Sequence, residues 1–556
     1  MKIKRFNFIL ILSVLILIPL EKGLQNFDLL YLYFSFSFAA FLLTMIFLRN
    51  SIRSLPVSLF SFLLIYLLIV LSKLFSIDPN ITNIASLQVL SVLMIFFVLC
   101  FGIEKEEKIV LLKILLIYGA FLALIGIKQT LTGTGNYQLS SNLARAHSAF
   151  VTPNTFSGYC AVLLITTLYF YFDSSKNKRS LFYLTLIIIY SMAIFCSFSR
   201  SVPLILLVLL APVIIIICNY FICKKKISFI NSNKKKLLIL ISSILILIIS
   251  FFAYSFIAQK DYTQKRLISL TAPQSASSVG ARALYWKSAS YIISDFSPFG
   301  CGYNSFATAY PWYKSKYFKK DITHFYAHND YIQFYAEMGI IGLVLLVIFW
   351  GGVWLKVRKE RGLNLFLGIS LIFLSLFSLL EYVFYIPSFM FISVLFMSII
   401  NNEGKKKGLK FIPIIITVFI ILNSLYGAYF LCKLSIAEKN VNDVKMILSI
   451  EGKLPNDPEI WRQALSKMEY AEKMMKNNIA YKMNSFYILG NLYFLDKKTD
   501  YTNKILMKFD SIISISKYNL RSIEMAYNFF DLHKDKNKLF GDYKKKAKNI
   551  LDKRKL

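Results

Sequence analysis

The chain has 556 residues, of which 56% are hydrophobic, and it contains 50 phenylalanines. This composition is far more apolar than that of soluble proteins, and it excludes an ordinary water-soluble enzyme. Lysine and arginine number 64 against 30 acidic residues, which gives a formal net charge of +34. Such a basic excess suits either a nucleic-acid-binding protein or a membrane protein, so the positions of the cations must decide between them.

Apolar runs of about 20 residues can cross the ~30 Å hydrocarbon core of a bilayer as helices. The chain contains about thirteen such runs. Their approximate extents are 6–20, 27–48, 55–75, 84–103, 109–127, 155–172, 181–197, 202–222, 237–258, 336–355, 363–382, 386–401 and 409–431. We therefore predict an all-α polytopic membrane protein with about 12–13 transmembrane helices. The first run lacks a small-residue cleavage site, which favours a retained helix over a secretory signal.

Basic residues fall on alternate connections between these runs, for example in residues 176–179, 224–236, 356–361 and 405–410. Short loops rich in lysine and arginine are typically cytoplasmic. This pattern explains the basic excess as a topology signal, and no nucleic-acid partner is predicted. The long polar loop after residue 258 then faces outward, and an odd number of spans puts the C-terminal tail outside as well.

The predicted organisation has four parts. Residues 1–258 form N-terminal transmembrane helices, 259–335 an extracytoplasmic catalytic loop, 336–432 C-terminal transmembrane helices and 433–556 a soluble helical domain. In the tail, Trp461, Ala464, Leu465 and Met468 repeat with helical spacing. The run Leu489-Gly490-x-x-Tyr493 partly resembles a tetratricopeptide repeat, so the tail either recognises an acceptor or only stabilises the protein.

Two outward segments before the large loop carry cations. Residues 130–158 include Arg145, which either binds an anionic group or belongs to a solvated loop, and Asn154, for which we weigh a helix cap against a substrate ligand. Arg200 lies in the turn Cys196-Ser-Phe-Ser-Arg-Ser between two predicted spans. A guanidinium near the membrane interface is either functional or snorkels to lipid headgroups.

The large loop has the residues expected for handling a phosphate ester. Arginine presents a planar fork of donors that matches phosphate oxygens, so Arg282 with Arg200 fits a diphosphate and stabilises developing negative charge. Arg282 opens an amphipathic stretch whose Leu284, Trp286 and Tyr291 suit a helix on the membrane surface.

His328 is one of only four histidines, and its imidazole can accept a proton from an attacking hydroxyl near neutral pH. It is followed by Asn329 and Tyr331, which we predict bind substrate. Glu337 is a further predicted substrate-binding residue that orients or pairs with nearby cations, and the alternative is a first-turn acid that favours the helix dipole. His324 is a weaker rival to His328, and no third and fourth ligands accompany the pair, so no metal is predicted.

These pieces together resemble the O-antigen ligase and O-antigen polymerase superfamily. The resemblance rests on Ser199-Arg200, on the Arg-x-x-x-Trp helix at 282–286, on the Pro-x-Gly-x-Gly turn at 298–302 and on the His-Asn-x-Tyr and Glu-x-Gly-x-x-Gly pieces at 328–342. A further segment, 148–154, matches the family pattern only partly. The resemblance implies that Arg200, Arg282 and His328 are catalytic and that the donor is a glycan on undecaprenyl pyrophosphate.

The resemblance further implies a glycosyltransferase in the bacterial inner membrane, and the lack of a metal-ligand cluster in the sequence predicts that it is metal-independent. The basic loops and the span count predict that the catalytic loop and the C-terminal domain lie on the periplasmic side. Lipid A-core is the first candidate acceptor, while protein O-oligosaccharyltransferases and polysaccharide polymerases share the donor chemistry. No cofactor is expected, because no nucleotide-binding glycine loop follows a strand. A transporter for the same lipid-linked glycan is the alternative from another class, since many spans and intramembrane cations also suit transport.

Overall fold

The computed structural model describes residues 2–17, 27–48, 55–134, 138–140, 143–175, 177–207, 209, 235–236, 238–239, 241–242, 278–314, 326–401, 413–449, 455–496, 500–515, 517–535 and 537–552. Every structural statement below concerns these residues. His324, which the sequence weighed against His328, lies outside them, as do residues 259–277 of the large loop.

Helices dominate the N-terminal half. They are α1 (Lys2–Leu17), α2 (Phe27–Leu48), α3 (Val57–Ser72), α4 (Pro79–Phe101), α5 (Lys105–Thr132), α6 (Pro153–Asp173) and α7 (Asn177–Cys196). Between α5 and α6, a short antiparallel pair of strands forms from β1 (Gln138–Ser140) and β2 (Leu143–Ala144). This small pair lies within the stretch that the sequence predicts as an outward loop.

The second half continues with helices of both membrane and soluble character. They are α8 (Ser278–Phe296), α9 (Phe306–Tyr313), α10 (Asp330–Val357), α11 (Gly362–Phe377), α12 (Pro387–Ile400), α13 (Pro413–Ser449), α14 (Pro458–Met474), α15 (Ile479–Leu495), α16 (Thr502–Ile515), α17 (Leu520–His533) and α18 (Lys538–Leu551). A 3-10 turn, Val383–Tyr385, joins α11 to α12.

Seven of the described helices are long and apolar enough to cross a membrane, namely α2, α4, α5, α6, α7, α10 and α13. Four shorter apolar helices, α1, α3, α11 and α12, lie where spans are also predicted. The all-α polytopic membrane fold is thereby confirmed. The predicted spans 202–222 and 237–258 lie mostly outside the described residues.

Helices α4 and α12 form the centre of the membrane-embedded part. Both are apolar on every face, which is typical of helices that other helices surround. From Val89 to Leu99 on α4, and along the whole of α12, the side chains are buried. Helices α2, α3 and α12 pack around α4, and α11 also packs on α12. The packing brings the linker between α11 and α12 to the ends of several helices.

Helix α10 is broken at Gly339, whose φ of 66° and ψ of −168° are not helical. A break removes the usual i+4 donors from the carbonyls just before it. Those carbonyls accept hydrogen bonds from backbone N–H groups of the glycine-rich turn after α8. Cys301 N–H donates to the Ala336 carbonyl at 3.0 Å, and Gly302 N–H donates to the Glu337 carbonyl at 2.8 Å. The Pro-x-Gly-x-Gly turn therefore completes the backbone bonding of the broken helix.

The two glycine motifs fit together because neither tolerates a side chain at the contact. A Cβ on Gly339 would lie 1.7 Å from the Pro298 carbonyl oxygen, and one on Gly300 would lie 2.4 Å from the Glu337 backbone. Both residues also have positive φ, which strains any other residue type. The pairing of the Pro-x-Gly-x-Gly and Glu-x-Gly motifs in the sequence thus has a direct physical cause.

Helix α13 connects the membrane part to the C-terminal domain without a break. Its 37 residues span about 55 Å at 1.5 Å per residue, well beyond the ~30 Å hydrocarbon core. Tyr481 of α15 donates to Glu438 at 2.5 Å, and Lys467 of α14 pairs with Asp443 at 2.6 Å. The predicted domain boundary at 433 thus lies inside a helix, because the helix continues where its apolar composition ends. The boundary at 336 likewise lies inside α10.

The C-terminal domain is a series of helices that pack on their neighbours in chain order, α14 on α15, α15 on α16 and α17 on α18. Trp461 is fully buried, and its indole donates to the Pro455 carbonyl at 2.8 Å. Gly490 lies against the ring of Phe529, where an added Cβ would be 2.9 Å from the ring. The tail thus buries aromatic side chains between its own helices, and its likeness to tetratricopeptide repeats stays a prediction.

Candidate active site

The centre of the site is Glu381, a fully buried carboxylate in the linker between α11 and α12. Arg282 on α8 donates from Nη2 to its Oε1 at 2.6 Å. His328, just before α10, places its Nδ1 2.9 Å from Oε2. Asn154 on α6 donates from its side-chain amide to Oε1 at 2.7 Å. Side chains from three distant parts of the sequence therefore meet at one carboxylate.

Helix α8 presents three neighbouring side chains to this centre. Arg282, Tyr285 and Trp286 follow the i, i+3, i+4 spacing that aligns residues on one helix face. The Tyr285 ring lies 5.8 Å from the His328 ring, and the Trp286 indole donates to the Ala327 carbonyl at 3.1 Å. The sequence predicts that Trp286 lies on the membrane surface, but in the structure this residue packs on the site. Leu284, which is predicted to lie on the same surface, is buried.

The backbone at His328 is in the left-handed region, with a φ of 54°. For a residue other than glycine this conformation costs of order 1–3 kcal/mol, so surrounding contacts must hold it. Asn329 follows as the N-cap of α10, and its side chain accepts from Ile332 N–H at 3.1 Å. The helix start and the ring contacts of His328 with Tyr285 and Tyr382 therefore fix the imidazole.

The contact with Glu381 determines which tautomer of His328 is favoured. An ionised carboxylate only accepts hydrogen bonds, so the proton of the neutral ring lies on Nδ1. Nε2 then carries the lone pair and is the nitrogen that can take a proton from a substrate. The same carboxylate stabilises the imidazolium that forms when it does so.

Glu381 itself is held in its ionised form. Burial would raise the pKa of this carboxyl, but the neighbouring His328, Arg282 and Asn154 outweigh burial and hold its pKa below the ordinary value. The charge of Glu381 is thus available both to orient Arg282 and to polarise His328 at neutral pH.

A second arginine reaches the site through Asn154. Arg145 donates from Nη2 to the Asn154 side-chain oxygen at 3.2 Å and from Nε to the Ser197 carbonyl at 2.8 Å. The cap interpretation of Asn154 is wrong, because Thr152 is the N-cap of α6 and shares a capping box with Thr155. Asn154 is two residues further on, in the first turn of α6, where its amide bridges Arg145 and Glu381.

Residues after His328 hold the linker that carries Glu381. Asp330 N–H donates to the Ser378 carbonyl at 2.8 Å, and the Asp330 carboxylate accepts from Phe384 N–H at 3.1 Å. Tyr331 donates to the Ser375 carbonyl at 3.1 Å. The His-Asn-Asp-Tyr run is therefore hydrogen-bonded to the chain both before and after Glu381. The substrate-binding roles of Asn329 and Tyr331 stay predictions.

Glu337 contacts a different set of groups. Its buried carboxylate accepts from the backbone N–H groups of Asn304 and Phe306 at 2.7 and 3.1 Å and from Tyr385 at 2.6 Å. Gln333 donates to it as well, at 3.1 Å. These partners tie the turn after Gly302 to α10, so the visible contacts of Glu337 are structural and its predicted substrate contact stays untested.

Arg200 is exposed at the turn that follows α7. This turn is joined to the site region because the carbonyl of Ser197, three residues earlier, accepts from Arg145. The carbonyl of Cys196 accepts from Ala146 N–H at 2.9 Å. Arg145, Asn154, Arg282 and His328 are thus brought into one network, and Arg200 lies on a turn bonded to that network.

Sequence reasoning missed Glu381. The residue falls at the end of a predicted span, 363–382, and it is the only acidic residue between positions 361 and 402. A carboxylate in such an apolar stretch is costly unless it is partnered, and for that reason it is a functional candidate by default. This isolated charge was the available signal.

Replacement of Glu381 by glutamine is expected to lower glycan transfer about 100-fold while the protein still inserts. The amide lacks the charge that pairs with Arg282, and it presents a donor where Nδ1–H of His328 needs an acceptor. Initial rates with purified protein measure the effect. Glu106→Gln, a change at an exposed position on α5, is the matched control. A Glu381→Gln rate equal to the wild-type rate would contradict a role for this carboxylate.

The fold and the site define a class of protein: a polytopic helical membrane protein with an arginine–histidine–glutamate cluster where a polar loop meets the membrane helices. Within the described ranges, no group of three or more His, Cys, Asp or Glu side chains is arranged to hold a metal ion.

Comparison with protein families narrows this class. Residues 184–347 match the family model described as O-Antigen ligase, which confirms the resemblance predicted from the sequence. The matched segment includes Arg200, Arg282 and His328, whereas Arg145, Asn154 and Glu381 lie outside it. A comparison with curated proteins found no match. The family match supports an enzyme with O-antigen ligase-like or polymerase-like function.

Proposed function

We propose that the protein is an O-antigen ligase-like glycosyltransferase. It transfers a glycan from undecaprenyl pyrophosphate to an acceptor hydroxyl outside the cytoplasm, without a metal or nucleotide. The single observation that carries the proposal is the convergence of Arg282 and His328 on the buried Glu381. Membrane lipids surround the spans, and the undecaprenyl chain of the donor lies among them.

The exposure of the three side chains suits this role. Glu381 has no exposed surface, whereas the Arg282 and His328 side chains are 16% and 24% exposed. The groups that face a substrate are therefore the cation and the imidazole, and the carboxylate lies behind them. A guanidinium has five N–H donors, so its bond to Glu381 leaves donors for phosphate oxygens.

The Arg282 guanidinium also suits an anionic donor. It lies 2.6 Å from Glu381 and is partly exposed, so it can bind a pyrophosphate and stabilise the charge that grows on it as the glycosyl bond breaks. We propose that Arg200, on the adjoining turn, contributes a further contact to the pyrophosphate.

In the proposed step, the acceptor oxygen attacks the anomeric carbon and a new C–O bond forms. The bond from that carbon to the pyrophosphate oxygen breaks, and the pyrophosphate leaves with the electron pair. The proton of the acceptor hydroxyl moves to Nε2 of His328, and Glu381 stabilises the resulting imidazolium. Direct displacement of this kind inverts the anomeric configuration of the transferred sugar.

The acceptor distinguishes the members of this function class. Lipid A-core is the first candidate, and a protein hydroxyl or a growing glycan are the alternatives that use the same donor. The test mixes purified protein and lipid-linked glycan with each acceptor in turn, in the presence of a chelator, and identifies the product. Movement of donor across a bilayer without any transfer would instead indicate a transporter. Activity lost in chelator and restored by a divalent ion would contradict the metal-free mechanism.

The location of the C-terminal domain can be tested separately. Tyr518, between α16 and α17, contacts Phe296 of α8 and Trp312 of α9, which supports a common side of the membrane for the domain and the loop. The distribution of basic residues supports the periplasmic side for both. A reporter that works only outside the cytoplasm, fused after Leu556, is therefore expected to be active. Activity only of a cytoplasmic reporter at this position would show that one span was miscounted.

A further inference from the structure

Among the described residues, the C-terminal domain meets the catalytic loop where α17 lies against α9 and where Tyr518, just before α17, packs on aromatic side chains. The Tyr518 ring meets the Phe296 ring edge to face at 5.0 Å and the Trp312 ring at 6.1 Å. The Trp312 indole also donates to the Tyr518 carbonyl. Trp312 is nearly buried by these and neighbouring contacts. One tyrosine of the tail thus packs against both helices of the loop.

Helices α8 and α9 are themselves fastened together. Tyr313 donates to Asp295 at 2.7 Å, and the Tyr285 and Tyr310 rings meet at 6.0 Å. Tyr518 therefore rests on a paired unit rather than on a single helix.

The same unit carries the site. Arg282 lies 14 residues before Phe296 on α8, a separation of about 21 Å along a helix axis. A helix transmits a tilt at one end to the other because its backbone bonds keep it straight. The position of Tyr518 at the far end of α8 is thus coupled to the position of Arg282 at the near end.

We propose that Tyr518 is a positioning residue: the C-terminal domain, through this tyrosine, holds α8 and α9 so that Arg282 meets Glu381. This inference rests on the proposed function only where it predicts that Tyr518 affects glycan transfer. Tyr518 lies outside residues 184–347, the segment that matches the O-antigen ligase family model.

The test uses hydrogen exchange of the full-length protein in lipid nanodiscs, followed on peptides from 278–296. Tyr518→Ala is expected to speed exchange there about tenfold, in line with the loss of two aromatic contacts. Tyr518→Phe keeps both ring contacts and the backbone acceptor, so it is expected to behave as wild type. Tyr470→Ala, a change at an exposed tyrosine on α14, is the matched control. Unchanged exchange of α8 in Tyr518→Ala would overturn the proposal.

Transfer kinetics give a second readout. Tyr518→Ala is expected to lower kcat about tenfold, in line with the loss of two aromatic contacts, with little change in KM for the acceptor. Tyr518→Phe is expected to keep the wild-type kcat. Phe296→Ala removes one of the two ring contacts from the loop side, so the test remains possible if Tyr518→Ala unfolds the domain. An inactive wild-type protein would refute the proposed function, yet the exchange experiment would still decide this inference. Normal kcat in both alanine variants would refute the positioning role.

Discussion

Replacement of Arg282 by alanine is expected to lower the rate of glycan transfer about 100- to 1,000-fold, the usual cost of losing one charge-stabilising donor in the transition state. The guanidinium lies 2.6 Å from the buried Glu381 carboxylate and is itself partly exposed. Its loss removes a cation for the leaving pyrophosphate and leaves Glu381 with one fewer partner. Initial rates with purified protein and lipid-linked glycan measure the change.

The controls for Arg282 separate charge from geometry. Arg282→Lys keeps the charge but not the planar fork of donors, so it is expected to rescue little of the rate. Arg179→Ala removes an exposed arginine elsewhere in the chain and is expected to leave the rate unchanged. Arg200→Ala tests the second predicted pyrophosphate contact in parallel. Full transfer by a well-inserted Arg282→Ala protein would remove this arginine from the mechanism.

Replacement of His328 by alanine is expected to slow transfer about 100- to 10,000-fold while donor binding persists, because general-base help is typically worth that much. Arg282 keeps its bond to Glu381 in this variant, so the pyrophosphate contact is retained. The expected signature is a lower kcat with a nearly unchanged KM for the donor.

Two comparisons sharpen the histidine test. Added imidazole is expected to restore part of the rate of His328→Ala, because a free base can occupy the space left by the ring. His324→Ala, at the nearby histidine, is expected to retain activity. If His324→Ala is inactive and His328→Ala is not, the two histidines have been assigned in the wrong order.

The sequence predicts the membrane helices well because a bilayer demands long apolar runs, and eleven of the thirteen predicted runs correspond to described helices. It also predicts Arg282 and His328, since phosphate binding and proton transfer need those residue types. The glycine motifs were recognised as a pattern, but their cause is a contact between distant segments. Only the structure shows that Gly300 and Gly339 cannot carry a side chain, because a Cβ at either position would clash with the backbone where the turn contacts the broken helix.

The parts that sequence reasoning missed all depend on long-range partners. The sequence suggests a helix cap at Asn154, beside Pro153, but Thr152 is the N-cap of α6. The Asn154 side chain is therefore available to contact Arg145 and Glu381. Glu381 is 53 residues beyond His328 in the chain, and nothing local reveals that it is the shared acceptor. Tyr518 lies in a different domain from the loop it contacts. Local patterns cannot specify such tertiary pairs.

The most direct test of the proposed site is a structure of the purified protein with undecaprenyl pyrophosphate-linked glycan bound, determined by electron cryo-microscopy. We predict pyrophosphate oxygens within hydrogen-bonding distance of the Arg282 guanidinium, and the anomeric carbon on the side of His328 that faces away from Glu381. A pyrophosphate bound elsewhere, with Arg282 and His328 both out of reach of the donor, would contradict the proposed active site.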